Sequence, residues 1–218
     1  LFPASLMKIP IAMVALRKVQ DGDIKLDDVV SLKQQHLNSD SGPLYKRGAG
    51  ARLTIRELLE ALLLESDNTA YYALLEMASP EELNGIIEEV GLVGLFDNST
   101  GAISAKEYSR FFRALYSSSF LDPEHSQFIL EMLTRSAFKE FLSGGLPGEV
   151  LFAHKYGEHI DRGVYLDSGI VYLPNRPYLI TVMIQEEGDV AHAKADAGKA
   201  MTEISAKVYE YIKSYKRC

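Results

Sequence analysis

One cysteine stands in the whole chain, Cys218 at its very end. A lone thiol closes no internal disulfide, so a disulfide-stapled scaffold is excluded and the redox compartment stays open. The apolar stretches all fall far short of a membrane span. There is neither a start methionine nor a signal peptide. The chain reads as a mature or truncated piece whose leader, if any, is gone, and membrane anchoring is expected only if an absent N-terminal segment provides it. Basic runs are missing too: 23 basic side chains stand against 30 acidic ones, for a formal charge of −7, which argues against nucleic acid as a partner. His36, His125, His159 and His192 show no ligand spacing, so neither a metal site nor another cofactor is expected. Repeats and low-complexity segments are absent.

What is present is an ordinary globular composition, 47% hydrophobic and 24% charged over 218 residues, enough for one large domain or two intimately packed halves. "SLMKIPIAMVALRKVQ" (5–20) is apolar on most sides and predicts a buried helix, with Pro10 bending it or ending its first turn early. Residues 21–53 carry loop signals and little periodicity. Capping boxes then announce helices at Thr54 with Glu57 and at Ser104 with Glu107. Ser79-Pro80 and Asp122-Pro123 open two more, each with proline at the first helical position, and Gly91 closes the first of them. After "GGLPG" (144–148) the texture changes to three β-branched, aromatic runs separated by short links, which predict an antiparallel meander. From Val190 to Tyr215 the pattern is helical again. The expected architecture is α+β, a single domain over 1–218 with a mainly helical lobe to about 145 and the sheet and closing helix after it.

Three short segments could carry chemistry. Ser5 and Lys8 share one helix face, where an ammonium can reach a hydroxyl. The helix N-terminus, burial and a second nearby lysine would each favour a neutral Lys8, which could take the Ser5 proton. The alternative is a serine cap followed by a solvated lysine. Ser66-Asp67-Asn68 lies in a connector between two apolar helices; it is either cleft-facing or a helix end followed by an Asx cap. Lys155, in "HKYG" (154–157), sits inside an otherwise apolar strand, where a lysine needs a reason, unless it is an edge-strand charge.

Taken in order, S-x-x-K, S-D-N and a lysine-led strand match the motif set of class A β-lactamases and penicillin-binding proteins. The whole chain resembles that family, and "DSGIVYLPNRPYLITVMIQ" looks like its last two strands. The resemblance implies a β-lactamase/transpeptidase-like fold, an antiparallel sheet flanked by helices plus an all-helical lobe. It implies a serine acyl-enzyme hydrolase working outside the cytoplasmic membrane on a small molecule, a β-lactam or a D-Ala-D-Ala peptide. Ser5 would be the nucleophile, Lys8 its base or relay, and Ser66 the group returning the proton to the leaving nitrogen. Asn68 would hold the substrate amide and Lys155 would attract the substrate carboxylate. Gly157 completes the third motif, and the backbone N–H groups of Ser5 and Glu158 would form the oxyanion hole. Tyr45, in "SGPLYKRG", is placed beside the substrate, and His154 is read as orienting its strand.

Three departures qualify the resemblance. Tyr156 stands where the family has a small hydroxyl that binds the substrate carboxylate. The stretch 91–104, where class A enzymes carry the glutamate that activates the deacylating water, has no glutamate; Asp97 is its only acid and reads as a turn residue. The helix and two strands that precede S-x-x-K in the family are absent from this chain, which leaves a three-stranded sheet with an exposed edge. The expected hydrolysis of β-lactams is therefore slow. The alternatives are a D-Ala-D-Ala carboxypeptidase or penicillin-binding protein acting on peptidoglycan, and a binding relative that no longer catalyses.

Overall fold

The computed structural model describes residues 1–92, 101–186 and 190–215. A 3-10 turn over Ala4–Met7 leads into α1 (Lys8–Gln20), in which every residue from Lys8 to Leu16 is buried. A short antiparallel pair, β1 (Val29–Ser31) with β2 (Arg52–Thr54), follows. The sequence shows only loop signals there, because three-residue strands are too short to display a period. Then come α2 (Ile55–Leu64), α3 (Asn68–Leu75), α4 (Pro80–Glu89), α5 (Ala105–Ser117) and α6 (Pro123–Thr134). Thr54, Ser79, Ser104 and Asp122 cap their helices as expected, three of them through full capping boxes.

Strands β3 (Phe152–His159), β4 (Val164–Val171) and β5 (Tyr178–Gln185) form an antiparallel meander in the order β3-β4-β5. Helix α7 (Val190–Ser214) closes the chain. Strand alternation sorts the two faces of the sheet. Val164, Leu166 and Ile170 join the core shared with the helical lobe, while Tyr165 and Val171 pack under Ala197 and Met201 of α7. The sheet is thus covered on both sides, the layout expected from the resemblance. The same alternation turns Lys155 toward the helical lobe and Tyr156 toward α7.

Helix α1 continues through Pro10 to Gln20, while the turn ahead of it, Ala4–Met7, is 3-10 rather than α. Pro10 is the third residue of the helix, where its missing N–H would have met the carbonyl of Leu6. That carbonyl instead accepts the hydroxyl of buried Tyr108 at 2.9 Å. Burial, with the charge of Asp167 adding to it, raises the Tyr108 pKa well above the ordinary phenol value and keeps the donor proton in place. Tyr108→Phe is expected to cost about 1–3 kcal/mol, the penalty of a buried carbonyl left without a donor. A lowered urea midpoint with an unchanged m-value would register it; an unchanged midpoint would mean that the carbonyl is satisfied elsewhere.

Candidate active site

The turn at 4–7, the connector between α2 and α3, and strand β3 meet where the helical lobe abuts the sheet. Ala4 adopts φ 45°, a left-handed entry into the turn. Ser5 caps nothing, since neither the 3-10 turn nor α1 has a side-chain cap. Its half-buried hydroxyl opens onto a cleft of about 1000 Å³ that Ser66, Asn68, Tyr71, Phe138 and Tyr156 also line.

Lys8, 2% exposed, is the hub. Its Nζ lies 3.1 Å from Ser5 Oγ, 3.0 Å from Ser66 Oγ, 2.5 Å from the Ser66 carbonyl and 2.7 Å from Asn68 Oδ1. The carbonyl and the amide oxygen can only accept. A neutral amine has two N–H groups for them and keeps one lone pair to accept a hydroxyl proton. Burial lowers the Lys8 pKa to about 8, against the opposing charge of Asp67. Desolvation, one of the three causes expected from the sequence, is the largest.

Lys155 lies across the same hydroxyl. Its Nζ donates to Ser66 Oγ at 2.8 Å and to the Tyr156 carbonyl at 3.0 Å. Although β3 is an edge of the described sheet, Lys155 at 1% exposure is not a solvent-facing charge; burial first, and the charge of Lys8 second, push its pKa well below the ordinary range. Ser66 therefore sits between two amines. Its backbone is left-handed at φ 55°, and its carbonyl is held by Lys8 and by Ser41 Oγ at 2.8 Å.

Asp67 does what the Asx-cap reading says, accepting the Ala70 N–H at 2.9 Å. Its other oxygen accepts the Leu44 N–H at 2.8 Å, which ties the 41–44 loop to α3. Gly42 makes this possible: at φ 80°, a Cβ there would come 2.1 Å from Asp67 Oδ2. Asn68 donates to Asn38 Oδ1 at 2.9 Å while accepting from Lys8, so both ends of its amide are engaged. Gly157 lets β3 pass flush against the turn, since a Cβ would lie 3.1 Å from Ser5 N and 3.2 Å from Leu6 N. Glu158 follows directly along β3.

Other expected site residues are placed differently. Tyr45 does not line the cleft; Asp40, Ser41 and Gly42 of the same stretch do. The Tyr156 hydroxyl turns along the strand to Glu158 Oε1 at 3.2 Å. Its ring packs 4.2 Å from Phe138 and 5.4 Å from Phe141. Glu158 also pairs with Lys194 of α7 at 2.9 Å. His154 Nδ1 lies 3.0 Å from Asp167 Oδ1 in a buried pair that tethers β3 to β4, consistent with an orienting residue. Asp97 lies outside the described residues. No cluster of metal ligands occurs among the described residues. Phe138, Ser41 and Asn38 escaped the sequence reading because they lie in irregular loops without motif or period.

What the cluster can do is move one proton among three hydroxyl and amine groups beside a half-buried serine that opens onto the cleft, the requirement for acyl transfer through a covalent intermediate. Its relatives carry such chemistry in their names. A β-lactamase of Bacteroides uniformis is 26% identical over 235 residues, covering 96% of this chain and 78% of that protein. A D-alanyl-D-alanine carboxypeptidase of Bacillus subtilis is 30% identical over 116 residues, half of this chain and 30% of that protein. The solved structure of PBP-A superposes with a TM-score of 0.85 at 21% identity, over 98% of this chain and 82% of that one. The profile of the Beta-lactamase enzyme family matches residues 1–212, nearly end to end, and the chain belongs to that family.

Proposed function

We propose that this protein is a serine hydrolase that is acylated at Ser5 by β-lactams and loses the acyl group slowly. One observation carries the reading: Lys8 Nζ stands within 3.1 Å of both Ser5 Oγ and Ser66 Oγ, and Lys155 Nζ meets Ser66 from the far side. Ser5 Oγ attacks the carbonyl carbon and gives its proton to neutral Lys8. The C–N bond breaks, and the proton travels through Ser66 to the departing nitrogen. The N–H groups of residues 5 and 158 stabilise the oxyanion, a contribution of about 3–4 kcal/mol per donor in comparable sites. Asn68 and Asn38 hold Lys8 in place.

A D-Ala-D-Ala peptidase is the second reading, favoured by the carboxypeptidase likeness and by the lack of a glutamate in 91–104. D-Ala-D-Ala peptides belong to the cell wall and β-lactams act on the enzymes that process them, so the expected place of action is outside the cytoplasmic membrane. No helix among the described residues is long and apolar enough to cross a membrane. A catalytically silent relative would have no reason to keep two lysines buried around one serine.

Intact-mass spectrometry after mixing with benzylpenicillin tests the reading. The protein should gain the mass of one penicillin, mapping to the peptide that contains Ser5. Ser5→Ala should gain none, and Ser66→Ala should gain it more slowly. An adduct that persists on Ser5→Ala would remove Ser5 from the mechanism.

A further inference from the structure

The α7 face of the sheet holds two buried titratable groups that the acylation chemistry does not touch, His154 and Asp167. In the β3–β4 ladder His154 stands opposite Gly169, Lys155 opposite Ser168 and Tyr156 opposite Asp167. The 3.0 Å contact from His154 Nδ1 to Asp167 Oδ1 therefore runs diagonally across the ladder, behind the position of Lys155. Gly169 makes room for it, since a Cβ there would lie 2.6 Å from that of His154. The Phe152 ring, stacked at 4.4 Å and 10°, fixes the imidazole plane. The other Asp167 oxygen accepts the Leu142 N–H at 3.2 Å. His154 Nε2 is buried and meets no partner among the described residues. An imidazolium, or a neutral ring facing a protonated Asp167, would leave a buried N–H there without an acceptor. A proton on Nδ1 leaves only a lone pair. His154 is then neutral and Asp167 ionised, one net negative charge.

Lys155 needs such a charge. An ammonium has three N–H groups. Ser66 and the Tyr156 carbonyl take two of them, which leaves the third for an anionic group of the substrate. The neutral amine has no third N–H to give, and neither of its two partners carries a charge. Glu158, the next acid along β3, is paired with Lys194 at 2.9 Å. Burial and then Lys8 work against a proton on Lys155, and Asp167 works for it. We propose that Asp167, set in place by His154, is the buried counter-charge that keeps Lys155 cationic toward the substrate. The two form a positioning pair for a reaction that neither touches. The inference rests on acylation at Ser5 as proposed above.

Benzylpenicillin and its methyl ester, which differ in the charge of one carboxylate, read the charge on Lys155. Rate constants for acylation of Ser5 at neutral pH are followed by intact mass in the unsubstituted protein and in Asp167→Asn, His154→Phe and His154→Asn. The unsubstituted protein should prefer the acid by at least about tenfold, the usual worth of a hydrogen bond to a charged group. Asp167→Asn keeps the volume and removes the charge, and should cut this preference at least about threefold. His154→Phe keeps the stacked ring and withdraws the donor, so buried Asp167 should take up a proton and the preference should fall likewise. His154→Asn restores a donor near the place of Nδ1 and should keep most of it. The His154 variants carry the test should Asp167→Asn fail to fold. A merely structural role would slow acid and ester by one factor. An unchanged ratio in folded Asp167→Asn or His154→Phe would therefore overturn the inference and leave acylation at Ser5 standing. So would an unsubstituted protein with no preference for the acid, since Lys155 would then hold no charge to sustain. If neither penicillin acylates Ser5, the acylation reading fails and this inference with it.

Discussion

Lys8→Met should slow acylation of Ser5 by about 10²–10⁴-fold at neutral pH, the usual worth of general-base assistance. Methionine fills much the same buried volume, so the loss should be chemical and the melting curve should confirm a folded protein. In the unsubstituted protein the rate should follow the neutral fraction of Lys8. With that pKa near 8, the rate should fall about tenfold for each pH unit below 8 and level off above it, since only the free amine accepts the serine proton. A rate still climbing at pH 10 would mark Lys8 as an ordinary ammonium. The same shift links to stability. Between about 8 and the ordinary 10.5, the unfolded chain holds a proton that the folded one has released, so stability should rise with pH across that window.

Once formed with benzylpenicillin, the acyl-enzyme is expected to be long-lived. Hydrolysis of the adduct needs a positioned water and a carboxylate to take its proton, because the ring-opened leaving group stays tethered in the cleft. Among the described residues the partners of Lys8 are two hydroxyls, a carbonyl and an amide, with no carboxylate. The stretch 91–104 contains no glutamate. Without general-base help, deacylation should run about 10²–10⁴-fold below that of an efficient hydrolase. The covalent mass should persist after free drug is removed, and nitrocefin turnover should stop after about one equivalent. Rapid multiple turnover would refute this, and its collapse in Asp97→Asn would identify the substitute base.

Much of this protein is written locally. Helices α2, α4, α5 and α6 begin where Thr54, Ser79, Ser104 and Asp122 say they should, because a cap and its partner lie within one turn of each other. The three strands show in their β-branched and aromatic runs, and alternation along β3 already assigns Lys155 and Tyr156 to opposite faces. The three motifs, read in order, named the residues that the fold brings together: Ser5, Lys8, Ser66, Asn68 and Lys155. Contacts between distant segments had no such signature. The β1–β2 pair joins residues more than twenty apart in sequence, and the Tyr108 hydroxyl replaces an N–H that Pro10 lacks some hundred residues earlier. Tyr45 looked close to the substrate on the strength of its loop, yet the loop presents Ser41 and Gly42 because Asp67 holds it from below. The proton affinity of Lys8 and the aim of the Tyr156 hydroxyl were likewise decided only in the folded molecule. Desolvation and hydrogen-bond partnership belong to the packed surroundings of a side chain, and those surroundings come from the turn, the connector and the strand meeting at one cleft, with α7 packed against the far face of the strand.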